Sequence, residues 1–278
     1  MTASADPVPA IAEAAATGEV RDIFADIRAV TGVGVVNLVW RRLAVTDGAL
    51  PFAWGAVRPA YVSGRVAAEA RAFRRQLHPP ALPLLPKAAL AAAGVDTLGL
   101  SSIRAILQSY DRTNAMNLIG LGALRVRLEG PAPGPGGAPA APADEPPLPP
   151  LPPLPPLDAL DPGLRALVDM LNDFGEEDGR VLASMYRHLA YWPGYLALAW
   201  ALLAPLAADG RIAEAVAGAR RLGRARAAVV APDLHLPAVL PAPDVLQDVT
   251  EVLTLFTDHP IGKMSAICRA LASATPAP

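Results

Sequence analysis

The chain has 278 residues, with 24 Lys and Arg against 26 Asp and Glu, 31 Pro, one Cys, and a hydrophobic fraction of 53%. That length suffices for one large or two small cores, and a net charge of −2 argues against a nucleic-acid partner, whose phosphates need a basic footprint. The lone Cys268 excludes an internal disulfide framework, a thiolate metal cage and a Cys-x-x-Cys redox pair, and fits a reducing compartment.

Met1 to Ala16 carries Asp6 and Glu13 but no Lys or Arg, so it lacks the charged leader of a secretory signal, and a cytoplasmic protein is expected. Val20, Ile23, Phe24 and Ile27 recur at helical spacing, and Val33 to Leu43 continues that pattern after a Gly-containing turn. Val66, Ala70, Phe73 and Leu77 share one helical face, with Arg71 and Arg75 on the other. Asp96 is expected to cap a long helix through Leu124. Residues 131–156 hold 13 prolines, which cannot donate helix or sheet hydrogen bonds, so 131–157 reads as a linker of polyproline II type. It joins a first helical repeat, 1–130, to a second, 158–278.

In the second repeat Glu176-Glu177-Asp178 reads as a solvated turn, without the surrounding ligands of a cation site. Leu189 to Ala208 carries no charge and approaches the ~20 residues of a bilayer crossing. Pro193 and Pro205 interrupt it, and a buried core helix is the expectation, with no membrane partner. Arg220, Arg221, Arg224 and Arg226 read as a solvated helix face, with anion steering as the alternative. Asp244 is expected to cap a helix through Leu271, kinked near Pro260. No period-2 strand with hairpin signals occurs, so the fold class is all-α.

The two flanks of the linker match at an offset of 146 residues. Trp40-Arg41-Arg42-Leu43-Ala44 falls on Tyr186-Arg187-His188-Leu189-Ala190, Gly48 on Gly194, Ala53-Trp54 on Ala199-Trp200, Arg65 on Arg211 and Arg74-Arg75 on Arg220-Arg221. Farther on, Leu107, Tyr110 and Leu121 fall on Leu253, Phe256 and Ile267. The chain reads as a tandem duplication, an intramolecular pseudo-dimer.

No Gly-rich phosphate loop, Gly-x-Ser-x-Gly or metal-ligand spacing is present, and His78, His188, His235 and His259 lie far apart. The residues by themselves point to no metal or cofactor. However, the segments Val33 to Trp54 and Arg180 to Trp200, with Leu107 to Leu124, resemble the group I 2-haloacid dehalogenases, which are all-helical and duplicated. The resemblance implies hydrolysis of small 2-haloalkanoic acids: an Asp-activated water attacks the α-carbon directly, with no covalent ester, metal or cofactor. The run Leu189 to Leu196 is also similar to that of alkylhydroperoxidase-like helical proteins, but their Cys-x-x-Cys is absent.

Direct water attack needs a carboxylate base, donors for the substrate carboxylate and an apolar wall around the halogen. The family's Ser-Asp pair falls on Ser184-Met185, so Ser184 is the candidate substrate-binding hydroxyl. At Met185 a thioether stands where the catalytic base should be, and it accepts no proton near neutral pH. The Asn that helps hold the water falls on Asn114, the pocket Trp and Phe fall on Val35 and Leu38, and an aromatic on the last long helix is kept as Phe256. Asp111 precedes Asn114 by three residues, so on a helix the two share a face and can hold one water between them. Two expectations follow: a hydrolase of small 2-substituted carboxylic acids with altered or lost activity, or an inactive small-acid-binding or interaction protein of the same fold. The sequence leaves open whether two chains pair as a homodimer on top of the internal pseudo-dimer.

Overall fold

A computed structural model describes residues 8–130, 134, 148, 150–175 and 181–278, and among these no strand occurs. The first half holds α1 (Gly18–Thr31), α2 (Leu38–Leu43), α3 (Ala49–Val62), α4 (Arg65–Gln76), α5 (Lys87–Ala92) and α6 (Thr97–Glu129). The second holds α7 (Pro162–Asp173), α8 (Ser184–Leu189), α9 (Pro193–Ala208), α10 (Arg211–Val230), α11 (Pro243–Phe256) and α12 (Gly262–Ala274). Several starts obey the sequence offset: α8 begins 146 residues after α2, α10 after α4, and α11 after α6.

Helix α6 is the axis of the molecule. The Asp96 carboxylate accepts a hydrogen bond from the Gly99 amide at 2.7 Å, one of the orphan donors at a helix start, and the helix runs 33 residues. From Thr113 to Leu121 every residue is buried, so this stretch is covered on all sides. It packs against α4, α10 and α12. Asn114 and Asn117 are the amides inside that largely apolar stretch, and burying them is tolerable only where they find partners.

The segment that the sequence offset sets against α6 is broken. Helix α11 ends at Phe256, a π-turn spans Thr257–Ile261 around Pro260, and α12 follows. Proline lacks the N–H that would continue the ladder, so the kink near Pro260 falls where the sequence put it. The expected cap at Asp244 does not form. Pro243 takes the first helical position, where its missing N–H costs nothing, and Asp244 lies inside the first turn. A second correction concerns Val33 to Asn37, expected as helix. Gly32 closes α1 in the left-handed region at φ 68°, and the chain stays irregular until α2 starts at Leu38.

The two halves meet closely at Gly194 in the first turn of α9. A β-carbon there would lie 2.0 Å from the Ala93 carbonyl oxygen at the end of α5, with no flexible side chain to yield. Gly194→Ala is therefore expected to destabilise the protein by about 1–3 kcal/mol. Urea unfolding checks this, and an unchanged midpoint would show that the two helices separate freely.

Most of the linker expected over 131–157 lies outside the described residues, as does Glu176-Glu177-Asp178. The described end of the linker is docked chain. Arg187 donates to the Pro155 carbonyl at 2.7 and 3.1 Å, Tyr191 donates to that of Pro153 at 2.8 Å, and Leu157 is buried. The apolar helix α9 is half covered, and among the described residues no single helix is long and apolar enough to cross a membrane. Arg224 pairs with Asp258 and Arg226 with Glu69, so part of the arginine run is committed to internal ion pairs.

Candidate functional site

Two adjoining chambers lie where α2, α6, α8 and the α11–α12 kink converge. The first is lined by Leu38, Val39, Tyr110, Asn114, Asn117, Ser184, Met185, Phe256, Ile261 and Met264, among others. It leaves about 50 Å³ in which the centre of a water-sized body can move, several times the ~10–15 Å³ that one water needs. The second is lined by Val33 to Leu38, Arg41, Ser109, Tyr110, Thr113, His188 and the linker residues Leu151 and Leu154. Asn37, Leu38, Tyr110 and Ser184 belong to both, so the chambers share a wall.

The lining residues come in pairs at the offset of 146: Leu38 with Ser184, Val39 with Met185, Tyr110 with Phe256, and Asn114 with Pro260. In three of these pairs, all but Val39 with Met185, one position is apolar and its mate at the sequence offset is polar. The irregular segment from Val33 to Asn37 acquires a use here, because its turn lays Val35 and its neighbours along the second chamber.

Of the residues singled out from the sequence, Leu38, Asn114, Ser184, Met185 and Phe256 line the first chamber, and Val35, Leu38 and Ser184 line the second. Asp111 lines neither. Its carboxylate lies 3.3 Å from Arg269 and 3.5 Å from Arg74, and burial pushes its pKa up against the pull of those two cations. It is turned to the guanidinium pair, whereas Asn114 lines the cavity, so the two do not flank one water in that cavity. No Asp or Glu is among the described residues lining either chamber.

Within the wall, Asn117 is held by two aromatic side chains behind it. The Trp40 indole donates to Asn117 Oδ1 at 3.1 Å, and the Tyr61 hydroxyl lies 3.4 Å from the same oxygen. Asn114 has no such support. It is buried, and its Nδ2 meets no acceptor among the described residues. A buried amide donor without a partner is uncommon enough to need an occupant, a water or a ligand.

His188 and Tyr110 were not legible as a pair in the sequence. His188 Nε2 lies 3.1 Å from the Pro152 carbonyl, which can only accept, so this nitrogen carries the proton. Nδ1 is then the acceptor for the Tyr110 hydroxyl at 2.7 Å. Burial holds the imidazole down at about 4, against the pull of the Pro152 hydrogen bond, so it is neutral at pH 7. Burial likewise pushes Tyr110 above its ordinary pKa, although the Arg187 and Arg41 charges and a hydrogen bond with Ser184 act in the other direction. The thiol of Cys268 is buried against the Leu107 carbonyl at 3.1 Å and is held protonated by that burial.

The His188 shift has a measurable consequence. An unfolded histidine titrates near ~6.5, so between that value and about 4 the unfolded chain binds a proton that the folded chain refuses. Stability should therefore fall as pH drops through this window, by up to about 3 kcal/mol, and this contribution should level off below it. Urea unfolding at pH 7 and pH 4.5 measures the loss, and His188→Gln should reduce it. An equal loss in that variant would assign the acid sensitivity to other groups.

No protein-family model and no curated protein matches the chain. Solved structures do. A D-2-haloacid dehalogenase mutant in complex with D-2-CPA aligns over 96% of both chains with 19% identity and a TM-score of 0.74. A D-2-haloacid dehalogenase mutant structure gives 0.75, and the dehalogenase with L-LA gives 0.74, at the same identity and coverage. At this TM-score and near-complete coverage, the chain has the all-helical fold of the D-2-haloacid dehalogenases.

Proposed function

We propose that the protein binds a small 2-substituted carboxylic acid in the paired chambers, as a dehalogenase-like pocket that lacks the base for direct water attack. The observation carrying this reading is the wall itself. It offers an orphaned amide donor at Asn114, a hydroxyl at Ser184 and apolar surface from Leu38, Met185, Phe256 and Met264, and no carboxylate among its described residues. Such a wall suits a short acid with an apolar or halogen substituent. Water attack at the α-carbon needs a group that takes the water's proton as the bond forms. The Met185 thioether is no such group, and an amide or hydroxyl is too weak a base. The reading calls on no metal or organic cofactor.

Hydrolysis by another base is the second reading, favoured by the hydrogen bond between Tyr110 and His188. Against it stands the low basicity of His188 and the engagement of both its nitrogens. Chloride release from (R)- and (S)-2-chloropropanoate by the purified protein separates the two. The binding reading expects no release above the buffer rate with either enantiomer. Sustained turnover would transfer the function to the hydrolytic reading and make His188 the first residue to replace.

A further inference from the structure

Arg41 and Arg187 occupy equivalent positions in the two repeats, and both act electrostatically on Tyr110. Their surroundings differ. Arg187 is capped by the linker, donating through Nε and a terminal nitrogen to the Pro155 carbonyl. Arg41 lines the second chamber, and its Nε is buried without any acceptor among the described residues. A guanidinium N–H withdrawn from water and left unpaired is costly, and an incoming acceptor recovers that cost.

The chamber around it is positive. No acidic side chain is among its described lining residues, His188 is neutral, and Arg187 adds a second cation nearby. A planar guanidinium in such a place matches a carboxylate better than a point charge would. Ser184 and Tyr110 line both this chamber and the apolar one, so the two adjoin at these side chains.

We propose that Arg41 is the carboxylate anchor: the ligand's acid group sits in the second chamber on Arg41, and its 2-substituent reaches past Ser184 into the first. This deepens the small-acid reading above and rests on it. The site then selects monoanionic acids over their neutral analogues. It also gives the docked linker a part, since Leu151 and Leu154 close the chamber over the anion.

Calorimetric titration with 2-chloropropanoate and with the neutral 2-chloropropanamide tests the assignment, using the unaltered protein, Arg41→Gln and Arg41→Lys. Arg41→Gln should weaken the acid by about ten- to a hundredfold and leave the amide nearly unaffected, with Arg41→Lys between them. A second measurement needs no variant to fold for its readout: the Arg41 Nε–H resonance of the 15N-labelled unaltered protein should move on adding the acid and stay in place with sodium chloride alone. Equal acid affinity in a folded Arg41→Gln, or a resonance indifferent to the acid while heat of binding is seen, overturns the anchor and leaves the small-acid reading standing. An equal response to chloride alone assigns the site to simple anions and overturns it too. If the unaltered protein binds neither compound, the small-acid reading fails and takes the anchor with it.

Discussion

Replacing Met185 with Asp is expected to switch on halide release from 2-chloropropanoate. The side chain at 185 is fully buried and lines the first chamber together with Asn114, whose Nδ2 lacks an acceptor. A carboxylate at this position would supply the base that the wall lacks, and the Asn114 amide could hold the water beside it. A positioned general base contributes about 10²–10⁴-fold to such a step, so release should exceed that of the unaltered protein by a factor in this range. Burial raises the pKa of a carboxyl group. The new group must be ionised to act, so release should climb as pH rises through that raised value and plateau above it. Stability should show the opposite sign. An unfolded Asp ionises near ~3.9, and above that pH the folded variant resists losing its proton, so its stability deficit should grow with pH until the raised value is passed. A folded Met185→Asp protein that binds the acid yet releases no halide at any pH would show that the pocket has lost more than its base.

Trp40→Ala should be among the most damaging single changes in the core, with a loss of about 3–5 kcal/mol. The indole is fully buried, stands edge-on to Trp54 with ring centroids 5.5 Å apart, and donates to Asn117. Removing it opens a cavity beside the first chamber and leaves the Asn117 oxygen to the longer contact from Tyr61. Acid binding should weaken along with stability, because Asn117 is part of the chamber wall. Trp40→Phe keeps most of the volume and loses the N–H, and about 1–2 kcal/mol is expected for it. Urea unfolding of the three proteins gives these values. Similar losses for Ala and Phe would place the energetic weight on the hydrogen bond and not on the packing.

The helices that frame the site were legible because local rules decide them. Asp96 caps α6 as its position before an apolar run suggests, and the face of Val66, Ala70, Phe73 and Leu77 is buried as its spacing requires. The cap at Asp244 was misread because Pro243 competes for the helix start, a choice between two local signals of similar strength. Val33 to Asn37 kept apolar spacing without helical structure, since its hydrophobic residues face a cavity and the neighbouring core instead of one helix stripe. At the site, the residues named from the family likeness, Leu38, Asn114, Ser184, Met185 and Phe256, do come together around one cavity. Asp111 does not join them, because Arg74 and Arg269 arrive from distant segments and hold it elsewhere. The bond between Tyr110 and His188 spans 78 residues, and the docking of Pro152 and Pro155 on α8 depends on tertiary placement alone. No local pattern announces either. The repeat offset was the one available hint, since it set Tyr110 against Phe256 and Arg41 against Arg187.

The measurement that bears most directly on the central claim is a calorimetric titration of the unaltered protein with (R)- and (S)-2-chloropropanoate at pH 7, with chloride release followed in the same samples. The account predicts saturable binding of at least one enantiomer at about one per chain and no halide release above buffer. Absence of any binding, or binding accompanied by steady turnover, would contradict it.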